Sequence, residues 1–496
     1  MRTHLILIFV LLCASLAVAQ VTVQSFDGLS AGSLGATKSF NADANGAVGT
    51  KQYLEWVNSA YQGYNKTTFA KVFPSPVMGD TPWRNAGMPD CFGSGGDGII
   101  LFDHLASRWV IGTRHGQGTY FYCIAVSNSD DLTAPGFGWS AYELPLNPIL
   151  GQNSLGHAYF ADFPRLGTWA DGYYVSIDLE DPDNGFREVG VVVCAFDRTS
   201  MLAGATARTP QCFRNPSTIT GSLFLAHSLL PADIEGTVAP PANAAELFVS
   251  IQNPSGTGTI SSTLNFWKFH VDWVTPANST FSAPIVKPVS SYTPGCYAAA
   301  QPANTICVPE PSSATSGFLL DSLGDRLMHR FAYRRFLTPT AVQSYLVTQT
   351  IQVNPAVSRS QTAIRWYEFR PGGVLANTGM INPATDTNYR FMPSAAQDKN
   401  RNMAVGYSVS DTTLHPAIKV STLSLSPLSA PTEVNIVTGN GDQENSSSWG
   451  NYSSMTVDPV DGCTFWYVNQ YDRTNQTGTA ISWSTRIAKF KLPTCL

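Results

Sequence analysis

The sequence predicts an all-β protein folded as a β-propeller of seven blades and cross-linked by disulfides. Three observations support this: a short aromatic strand that recurs along the chain, a composition low in charge, and an even set of cysteines. Hydrophobic residues make up 43% of the 496 residues, whereas charged residues make up only 13%. Short alternating runs bounded by Gly, Pro, Asn and Asp recur with almost no sustained helical periodicity, as expected for antiparallel sheets.

The recurring unit is a turn followed by a short aromatic or β-branched strand, and it occurs seven times. Examples are HLASRWVIGT, ADGYYVSID and the stretch DGCTFWYVN, which begins at Asp461. A second strand follows most copies, such as YFYCIAVS or STRIAKFKL, and TTFAKVF is the candidate after the first copy. The central residues of the copies, called anchors here, are Trp56, Trp109, Tyr174, Phe248, Phe331, Ala404 and Trp466.

The need to protect unpaired strand edges explains why such units favour a propeller. A small antiparallel sheet has two apolar faces and unpaired edges, so stacking sheets around an axis buries the faces and leaves only short edges. The stretch LDSLGDRLMHRFAYRR resembles a helix, but its place in the repeat predicts a strand. VTVQSF near the N-terminus is the candidate strand that closes the ring. The alternative architecture is a tandem β-sandwich, or a jelly roll paired with another domain.

The N-terminus predicts export. MRTHLILIFVLLCASLAVAQ has a basic start, an apolar centre and an A-x-A site at its end, so residues 1–19 are expected to be a signal peptide. Residues 20–44 form an N-terminal segment, and residues 45–496 a single propeller domain. No later run is apolar for about 18 residues, which predicts a secreted, extracellular protein without membrane insertion. The formal net charge of −5 argues against a nucleic-acid partner.

Cysteine usage agrees with export. The chain has nine cysteines, and removal of the signal peptide with Cys13 leaves an even number. Sequential pairing is the preferred one of 105 connectivities, and no spacing matches a zinc site. The predicted disulfides are Cys91–Cys123, Cys194–Cys212, Cys296–Cys307 and Cys463–Cys495. Glycosylation sequons, expected to mark exposed loops, begin at Asn65, Asn278, Asn445, Asn451 and Asn475.

Longer motifs carry a resemblance to a known family. LFDHLASRWVIG, FPRLGTWADGYYVS, LDSLGDRLMHRFAYRRF and YSSMTVDPVDGCTFWY resemble, in the same order, a family of large secreted, mostly bacterial proteins regarded as β-propellers. The resemblance runs from about residue 45 to Cys495. It implies the fold and export. The family has no established activity, so the resemblance assigns no catalytic residue.

DGCTF at 461–465 is close to the Asp box of sialidases, S-x-D-x-G-x-T-W. It lacks the serine, and Gly462 follows Asp461 directly where the Asp box has one residue between them. Even a complete Asp box is a structural turn, so the stretch supports a fold and no mechanism. A sialidase also needs three arginines for the substrate carboxylate and a Tyr/Glu pair. The candidate arginines are Arg114, Arg165, Arg326, Arg330 and Arg365.

The sequence offers several further site candidates. Asp325 and Arg326 are candidates for an acid and a carboxylate clamp, or for a structural ion pair. A glycosidase needs two carboxyl groups about 5–9.5 Å apart, and aspartates at comparable turns could provide them. Those aspartates are Asp103, Asp162, Asp171, Asp325 and Asp458.

Ligand and metal candidates complete the set. Trp449 and Tyr452 are candidates for stacking on a sugar or, alternatively, for supporting a blade. His115 is a further ligand candidate and lies in a Gly-rich turn that is expected to be exposed. In DLEDPDNG, Asp178, Asp181 and Asp183 are the candidates for calcium, against the alternative of a solvated acidic turn. No other cofactor is indicated.

Because the repeat carries no recognisable set of catalytic residues, the sequence favours an extracellular binding or scaffold module for glycan or protein. The alternatives are a sialidase-like glycoside hydrolase or polysaccharide lyase acting at the axial mouth, and a structural coat or matrix protein.

Overall fold

The structure is a computed structural model. It describes residues 21–34, 39–93, 96–116, 119–216, 219–220, 223–224, 228–251, 253–254, 261–298, 305–354, 357, 360–383 and 386–495. The expected signal peptide lies outside these residues. Within them, no helix is long and apolar enough to cross a bilayer.

The first half of the chain forms three four-stranded antiparallel sheets after one N-terminal strand. The N-terminal elements are β1 (Thr22–Ser30) and α1 (Ala31–Leu34). Sheet A contains β2 (Asn45–Val48), β3 (Gln52–Val57), β4 (Ala60–Asn65) and β5 (Val77–Met78), and is followed by α2 (Thr81–Ala86) and a 3₁₀ turn (Pro89–Cys91). Sheet B contains β6 (Ile99–Asp103), β7 (Arg108–His115), β8 (Phe121–Ser127) and β9 (Trp139–Pro145), and is followed by α3 (Asn147–Leu150). Sheet C contains β10 (Phe160–Thr168), β11 (Tyr173–Asp181), β12 (Arg187–Phe196) and β13 (Gln211–Pro216), with α4 (Arg198–Leu202) before β13.

The middle of the chain is less regular. A small sheet contains β14 (Ile219–Thr220), β15 (Leu223–Phe224) and, later in the chain, β18 (Asn253–Pro254). Sheet D contains β16 (Leu230–Glu235), β17 (Glu246–Ile251), β19 (Ser261–His270), β20 (Thr280–Phe281) and β21 (Ile285–Tyr292), with a 3₁₀ turn at Pro276–Asn278. A two-stranded sheet of β22 (Ile306–Val308) and β23 (Leu320–Asp321) follows, with α5 (Ser313–Ser316) between its strands.

The last part of the chain forms three more sheets. Sheet E contains β24 (Leu327–Phe336), β25 (Val342–Gln352), β26 (Thr362–Arg370) and β27 (Val374–Ile381). Sheet F contains β28 (Tyr389–Gln397), β29 (Asn402–Ser410), β30 (Ala417–Ser424) and β31 (Thr432–Thr438). Sheet G contains β32 (Ser454–Val457), β33 (Thr464–Asp472) and β34 (Trp483–Lys491), and β1 joins it by pairing antiparallel with β34.

The first strands of sheets A to G, called axial strands here, form a closed ring. Each lies beside the next in the order β2, β6, β10, β16, β24, β28 and β32, and β32 lies beside β2. This arrangement confirms the all-β propeller class. A parallel pairing of β16 with β24 joins sheets D and E into one nine-stranded sheet. The predicted number of seven blades stays a prediction, because this joining makes the sheet count ambiguous.

Aromatic anchors pack between neighbouring sheets. The ring of Trp466 in sheet G stacks on Tyr53 in sheet A with centroids 5.3 Å apart. A Cβ added to Gly98, beside sheet B, would lie 2.0 Å from the Trp56 ring, so only glycine permits this contact. Trp56, Trp109 and Trp466 are at most 2% exposed. Burial of each such ring stabilises the contact between sheets.

Two strand assignments from the repeat are wrong. Phe331 lies on the axial strand β24, whereas the other anchors lie on the second strands of their sheets, so the equivalent strand of sheet E is β25. TTFAKVF is not the third strand of sheet A, because β4 occupies Ala60–Asn65. The four sequential disulfides are confirmed.

Candidate functional site

The axial strands begin at one opening of the ring, called the start opening, and end at the other, called the end opening. Three aspartates from successive sheets lie at the start opening: Asp43 before β2, Asp97 before β6 and Asp162 near the start of β10. Tyr452, before β32, lies beside them, and its electrostatic neighbours include all three carboxyl groups. The ring therefore brings together residues that are far apart in the sequence.

Arg114 bridges two of these carboxyl groups. Its Nη2 lies 3.7 Å from Asp97 Oδ2 and 3.4 Å from Asp162 Oδ1. The side chains are 13%, 15% and 20% exposed for Arg114, Asp97 and Asp162 respectively, so solvent reaches all three. The guanidinium also lies over the Phe160 ring, 4.9 Å from its centroid. Asp97 and Asp162 are thus an accessible carboxyl pair that shares one cation.

Burial shifts the acidity of the cluster. The pKa of Asp97 is raised to about 6 by burial and by the charge of Asp162, which outweigh the opposing charges of Arg114 and Arg165. The pKa of Asp43 is raised well above its usual value by burial and by Asp97, although Asn41 Nδ2 donates to Asp43 Oδ1 at 2.5 Å. At mildly acidic pH this opening therefore holds protonated carboxyl groups.

Arg165 and Tyr452 form the buried floor. Arg165 Nη1 donates to the Tyr452 hydroxyl at 2.7 Å, and its guanidinium lies 4.7 Å from the centroid of that ring. The two residues are 1% and 2% exposed. Phe163 lies between Arg165 and Arg326, with guanidinium-to-centroid distances of 5.2 and 4.4 Å. The alternating cations and rings fix the positions of the charged groups above them.

A second acidic group adjoins this floor. Arg326 donates from Nε and Nη2 to the two carboxyl oxygens of Asp325, each at 2.9 Å, and Nη2 lies 3.8 Å from Glu188 Oε1. The pKa of Glu180 is raised to about 8 by burial and by the neighbouring acids Asp162 and Glu188. Carboxyl groups outnumber guanidinium groups at this opening. Because burial keeps part of these carboxyl groups protonated and each guanidinium already contacts the protein, the start opening favours neutral ligands.

The ring brings together several residues that the sequence singled out: Arg114, Asp162, Arg165, Asp325, Arg326 and Tyr452. Other proposed residues lie apart from the opening. Asp103 binds Arg198, Asp171 accepts from the Tyr174 hydroxyl, Asp458 binds Lys66, Arg330 binds Asp233 and Glu235, and Arg365 donates to the carbonyls of Ser290 and Ser291.

Three ligand-binding candidates need correction. Tyr452 is 2% exposed and packs against Arg165, so its ring cannot stack on an external sugar. Trp449 is fully buried, and its Nε1 donates to Ser408 Oγ at 3.1 Å, so its ring cannot stack on an external sugar. His115 is 2% exposed, lies against Trp83 and has its pKa lowered to about 4 by burial. It is therefore a neutral interior side chain, and the expectation of an exposed turn is wrong at this residue.

The calcium candidates do not share one site. The carboxyl group of Asp178 accepts from Ser228 N at 2.9 Å and from Ser228 Oγ at 2.7 Å. Asp181 and Asp183 instead accept from Asn153 at the tip of sheet C, and His157 lies 2.8 Å from Asp183. In the part of the chain that the structure describes, no group of three His, Cys, Asp or Glu side chains could hold a metal ion.

The predicted turn at Asp461 is a local structural motif. The Asp461 carboxylate accepts from the backbone N–H groups of Cys463 and Thr464 at 2.8 and 2.9 Å, and from the Thr464 hydroxyl at 2.7 Å. These bonds close the turn that starts β33, as Asx turns do.

The sequon asparagines differ in exposure. Asn65, Asn278 and Asn475 are exposed, whereas Asn445 and Asn451 are partly buried. The Asn445 amide donates to the carbonyl of Ala480 at 2.8 Å. Use of any of these sequons stays a prediction.

Sequence reasoning missed Asp43, Asp97 and Glu188, and it singled out Glu180 only as part of the acidic stretch 178–185. The signal for two of them is positional, because Asp43 and Asp97 each precede an axial strand by two residues. A search for carboxyl groups just before the first strand of each unit would have found both. Glu180 and Glu188 face each other across the hairpin of β11 and β12.

Comparisons with known proteins give distant structural similarity. No family model matches the sequence, and no curated protein matches it. The chain is similar to a subtype N10 neuraminidase-like protein of A/little yellow-shouldered bat/Guatemala/060/2010, with 9% identity, a TM-score of 0.36 and coverage of 77% of this chain and 94% of that chain. It is also similar to the Dos1 propeller, with 8% identity, a TM-score of 0.36 and coverage of 89% and 76%.

A third similar structure is the α-L-arabinanase of Penicillium chrysogenum complexed with arabinobiose, with 10% identity, a TM-score of 0.31 and coverage of 68% of this chain and 96% of that chain. These scores are too low to assign a family or an activity. The fold class rests on the strand pairings, and membership of the secreted propeller family stays a prediction.

Proposed function

We propose that the protein is a secreted glycoside hydrolase whose start opening cleaves neutral glycans. The observation that carries this proposal is the pair of partly exposed carboxyl groups of Asp97 and Asp162 on one nitrogen of Arg114. Glycosidic bond hydrolysis needs two carboxyl groups on opposite sides of the scissile bond, one of them protonated. The four disulfides support export, because such bonds persist in oxidising compartments.

Asp97 is assigned as the general acid. Its pKa of about 6 leaves a large protonated fraction at mildly acidic pH, so it can donate a proton to the leaving oxygen. Asp162 supplies the second carboxyl group, which activates water or attacks the anomeric carbon. Arg114 lies beside both groups and stabilises negative charge that forms on either of them.

The charges of the opening support a neutral substrate. A sialidase uses unpaired arginines to bind the substrate carboxylate, whereas here Arg114 and Arg326 already face carboxyl groups of the protein. Arg165 is buried under Tyr452. The carboxylate of an acidic sugar would therefore find no arginine without a partner in the protein, so neutral polysaccharides are the expected substrate class.

The test is release of reducing ends from a panel of neutral and acidic polysaccharides. Asp97→Asn and Asp162→Asn are each expected to lower the rate at least about 100-fold. Asp183→Asn is the matched control, because this exposed aspartate lies in the β11–β12 hairpin. Product from neutral substrates that is lost in both site variants supports the proposal. Activity that survives in both variants, or no product from any neutral polysaccharide, overturns it.

The second candidate is a binding or scaffold module for glycan or protein. Burial of Asp43, Arg165 and Tyr452 favours it, because these groups also brace the axis. Glycan-array binding by the wild type without product release, with equal binding by Asp97→Asn, would select this candidate. A structural coat role would instead show self-assembly by light scattering.

A further inference from the structure

The end opening contains a separate cavity of about 410 Å³. Its walls are the segments that follow the ends of the axial strands, including His104 after β6, Gly236 after β16 and Lys399 after β28. A volume of this size accommodates a small organic ligand. The acidic cluster of the start opening does not line this cavity, so any ligand here is independent of the proposed hydrolase site.

The buried cation Arg334 lines this cavity. The residue is 8% exposed, and Nη1 donates to the carbonyl of Gln397 at 2.8 Å. Across the described residues, no carboxylate forms an ion pair with Arg334. The charges of Glu235, Asp398 and Asp461 act on Arg334, and Glu235 has the largest effect of the three. Glu235 is itself held by Arg330 Nη1 at 2.8 Å. A buried guanidinium without an ion-pair partner is costly, and a bound anion would lower that cost.

Two glycines keep the guanidinium accessible. A Cβ added at Gly236 would lie 3.3 Å from Nη2 of Arg334, and one added at Gly462 would lie 3.0 Å from it. Both glycines have positive φ, +80° and +64°, so other residues would be strained at these turns. The backbone therefore approaches the cation closely without covering it with side chains.

The other charges on the walls leave an excess of positive charge. Arg335 and Lys399 are cations on the walls, and Lys399 is exposed. The two acids are already engaged: both oxygens of Asp458 accept from Lys66 Nζ at 2.7 Å, and Asp461 is held in the turn of β33. A ligand with a negative group would thus meet three cations and two acids on the walls, and Arg334 forms no ion pair with a carboxylate of the described residues.

His104 adds a neutral donor. Its Nδ1 accepts from the backbone N–H of Gly236 at 3.1 Å, which places the ring proton on Nε2. Burial, with Arg330 and Arg334 nearby, lowers its pKa to about 3, so the ring stays neutral. Val238, Phe336 and Leu337 supply apolar surface on the same walls. The cavity thus combines oxyanion-binding groups with a wall that contacts a carbon skeleton.

We propose that the end opening binds an organic oxyanion, namely a carboxylate, sulfate or phosphate group carried on a sugar-sized body. Arg334 and Lys399 contact the anionic group, and the apolar wall contacts the body. Free inorganic sulfate and phosphate carry the same kind of charged group without the sugar-sized body. Comparing their binding with that of an organic anion therefore distinguishes the two possible ligands.

The test is calorimetric titration of the full chain with glucuronate, glucose, inorganic sulfate and inorganic phosphate. Glucuronate is expected to bind with an affinity that falls as salt is added, and glucose is not expected to bind. Arg334→Gln should weaken glucuronate binding at least about tenfold, which is the range of charged hydrogen bonds. Lys399→Ala should weaken it about threefold and serves as the variant that leaves the interior intact.

Lys268→Ala is the matched control, because Lys268 is an exposed lysine on β19, away from the cavity. Unchanged binding in Lys268→Ala with the two losses above supports the site. Inorganic anions that bind as tightly as glucuronate, with the same losses, also support it and assign it to the free anion. No binding of any anion at millimolar concentration, or equal effects of Lys399→Ala and Lys268→Ala, overturns it.

Discussion

The guanidinium of Arg165 donates a 2.7 Å hydrogen bond to the hydroxyl of Tyr452, which lies 287 positions later in the chain. The bond joins the axial strand of sheet C to the segment before the axial strand of sheet G, so it spans the axis. Because both residues are buried, neither can exchange this partner for water. It is the contact on which the floor of the start opening depends.

Tyr452→Phe is expected to lower the free energy of unfolding by about 1–3 kcal/mol, because it leaves a buried donor of Arg165 without a partner. Urea denaturation followed by fluorescence measures the change. Tyr142→Phe is the control, since the Tyr142 hydroxyl bonds the Ala205 carbonyl at the surface. Equal losses in the two variants would contradict the assigned role of the floor.

Arg330→Met should destabilise the protein by about 3–5 kcal/mol, because it leaves two buried carboxylates without their cation. Arg330 donates from Nε to Asp233 at 2.7 Å and from Nη1 to Glu235 at 2.8 Å. Thermal and chemical unfolding both report the effect. Arg365→Met, at a partly exposed arginine that donates to the carbonyls of Ser290 and Ser291 and has no buried carboxylate to leave unpaired among the described residues, is expected to change stability by no more than about 0.5 kcal/mol. If Arg330→Met lost no more stability than Arg365→Met, the ion pairs of Arg330 with Asp233 and Glu235 would not stabilise the folded protein.

The buried carboxyl group of Glu55 lies where the ring closes, and it is expected to make the stability of the fold depend on pH. It accepts from Leu29 N at 2.9 Å and from the Tyr64 hydroxyl at 3.1 Å, and it contacts Thr485, so it links sheet A to β1 and β34. Burial raises its pKa from 4.5 to about 7. The folded state therefore binds more protons than the unfolded state between these values, and stability falls as pH rises through about 7.

Glu55→Gln should remove this part of the pH dependence. The amide cannot ionise, yet it can donate to Thr485 while its oxygen accepts from Leu29 and Tyr64. Between pH 5 and 8, the wild type should lose roughly 2–3 kcal/mol more stability than Glu55→Gln. Urea titrations across this range measure the difference. Parallel pH profiles for the two proteins would show that Glu55 does not titrate in the folded state.

The disulfides predict a loop-length effect. Cys463–Cys495 spans 32 positions and Cys296–Cys307 spans 11. In the chain-entropy model, replacing the first pair by serine should cost about 1 kcal/mol more than replacing the second. Denaturant unfolding of the two double variants makes the comparison. A greater loss for the shorter loop would mean that native contacts, and not loop closure, set the contribution of these bonds.

The local features of the fold follow from short residue patterns. Alternating strands, the Asp461 turn and the nearest-neighbour cysteine pairs are local patterns, so they were predicted from spacing alone. The strand that includes Phe331 was assigned to the wrong place in its sheet. An axial strand of ten residues and a second strand have the same apolar alternation, and only pairing distinguishes them.

The set of charged groups that share a site depends on how the sheets close into a ring. Arg114, Arg165, Asp325 and Arg326 were named from the sequence, but their convergence with Asp43 and Asp97 follows from closing the ring. The sequence predicts an exposed His115 and leaves Trp449 open between sugar stacking and blade support, and both residues are buried in the fold. The physical reason is that burial and electrostatic coupling depend on separations of a few ångströms between sheets, which local residue patterns do not encode.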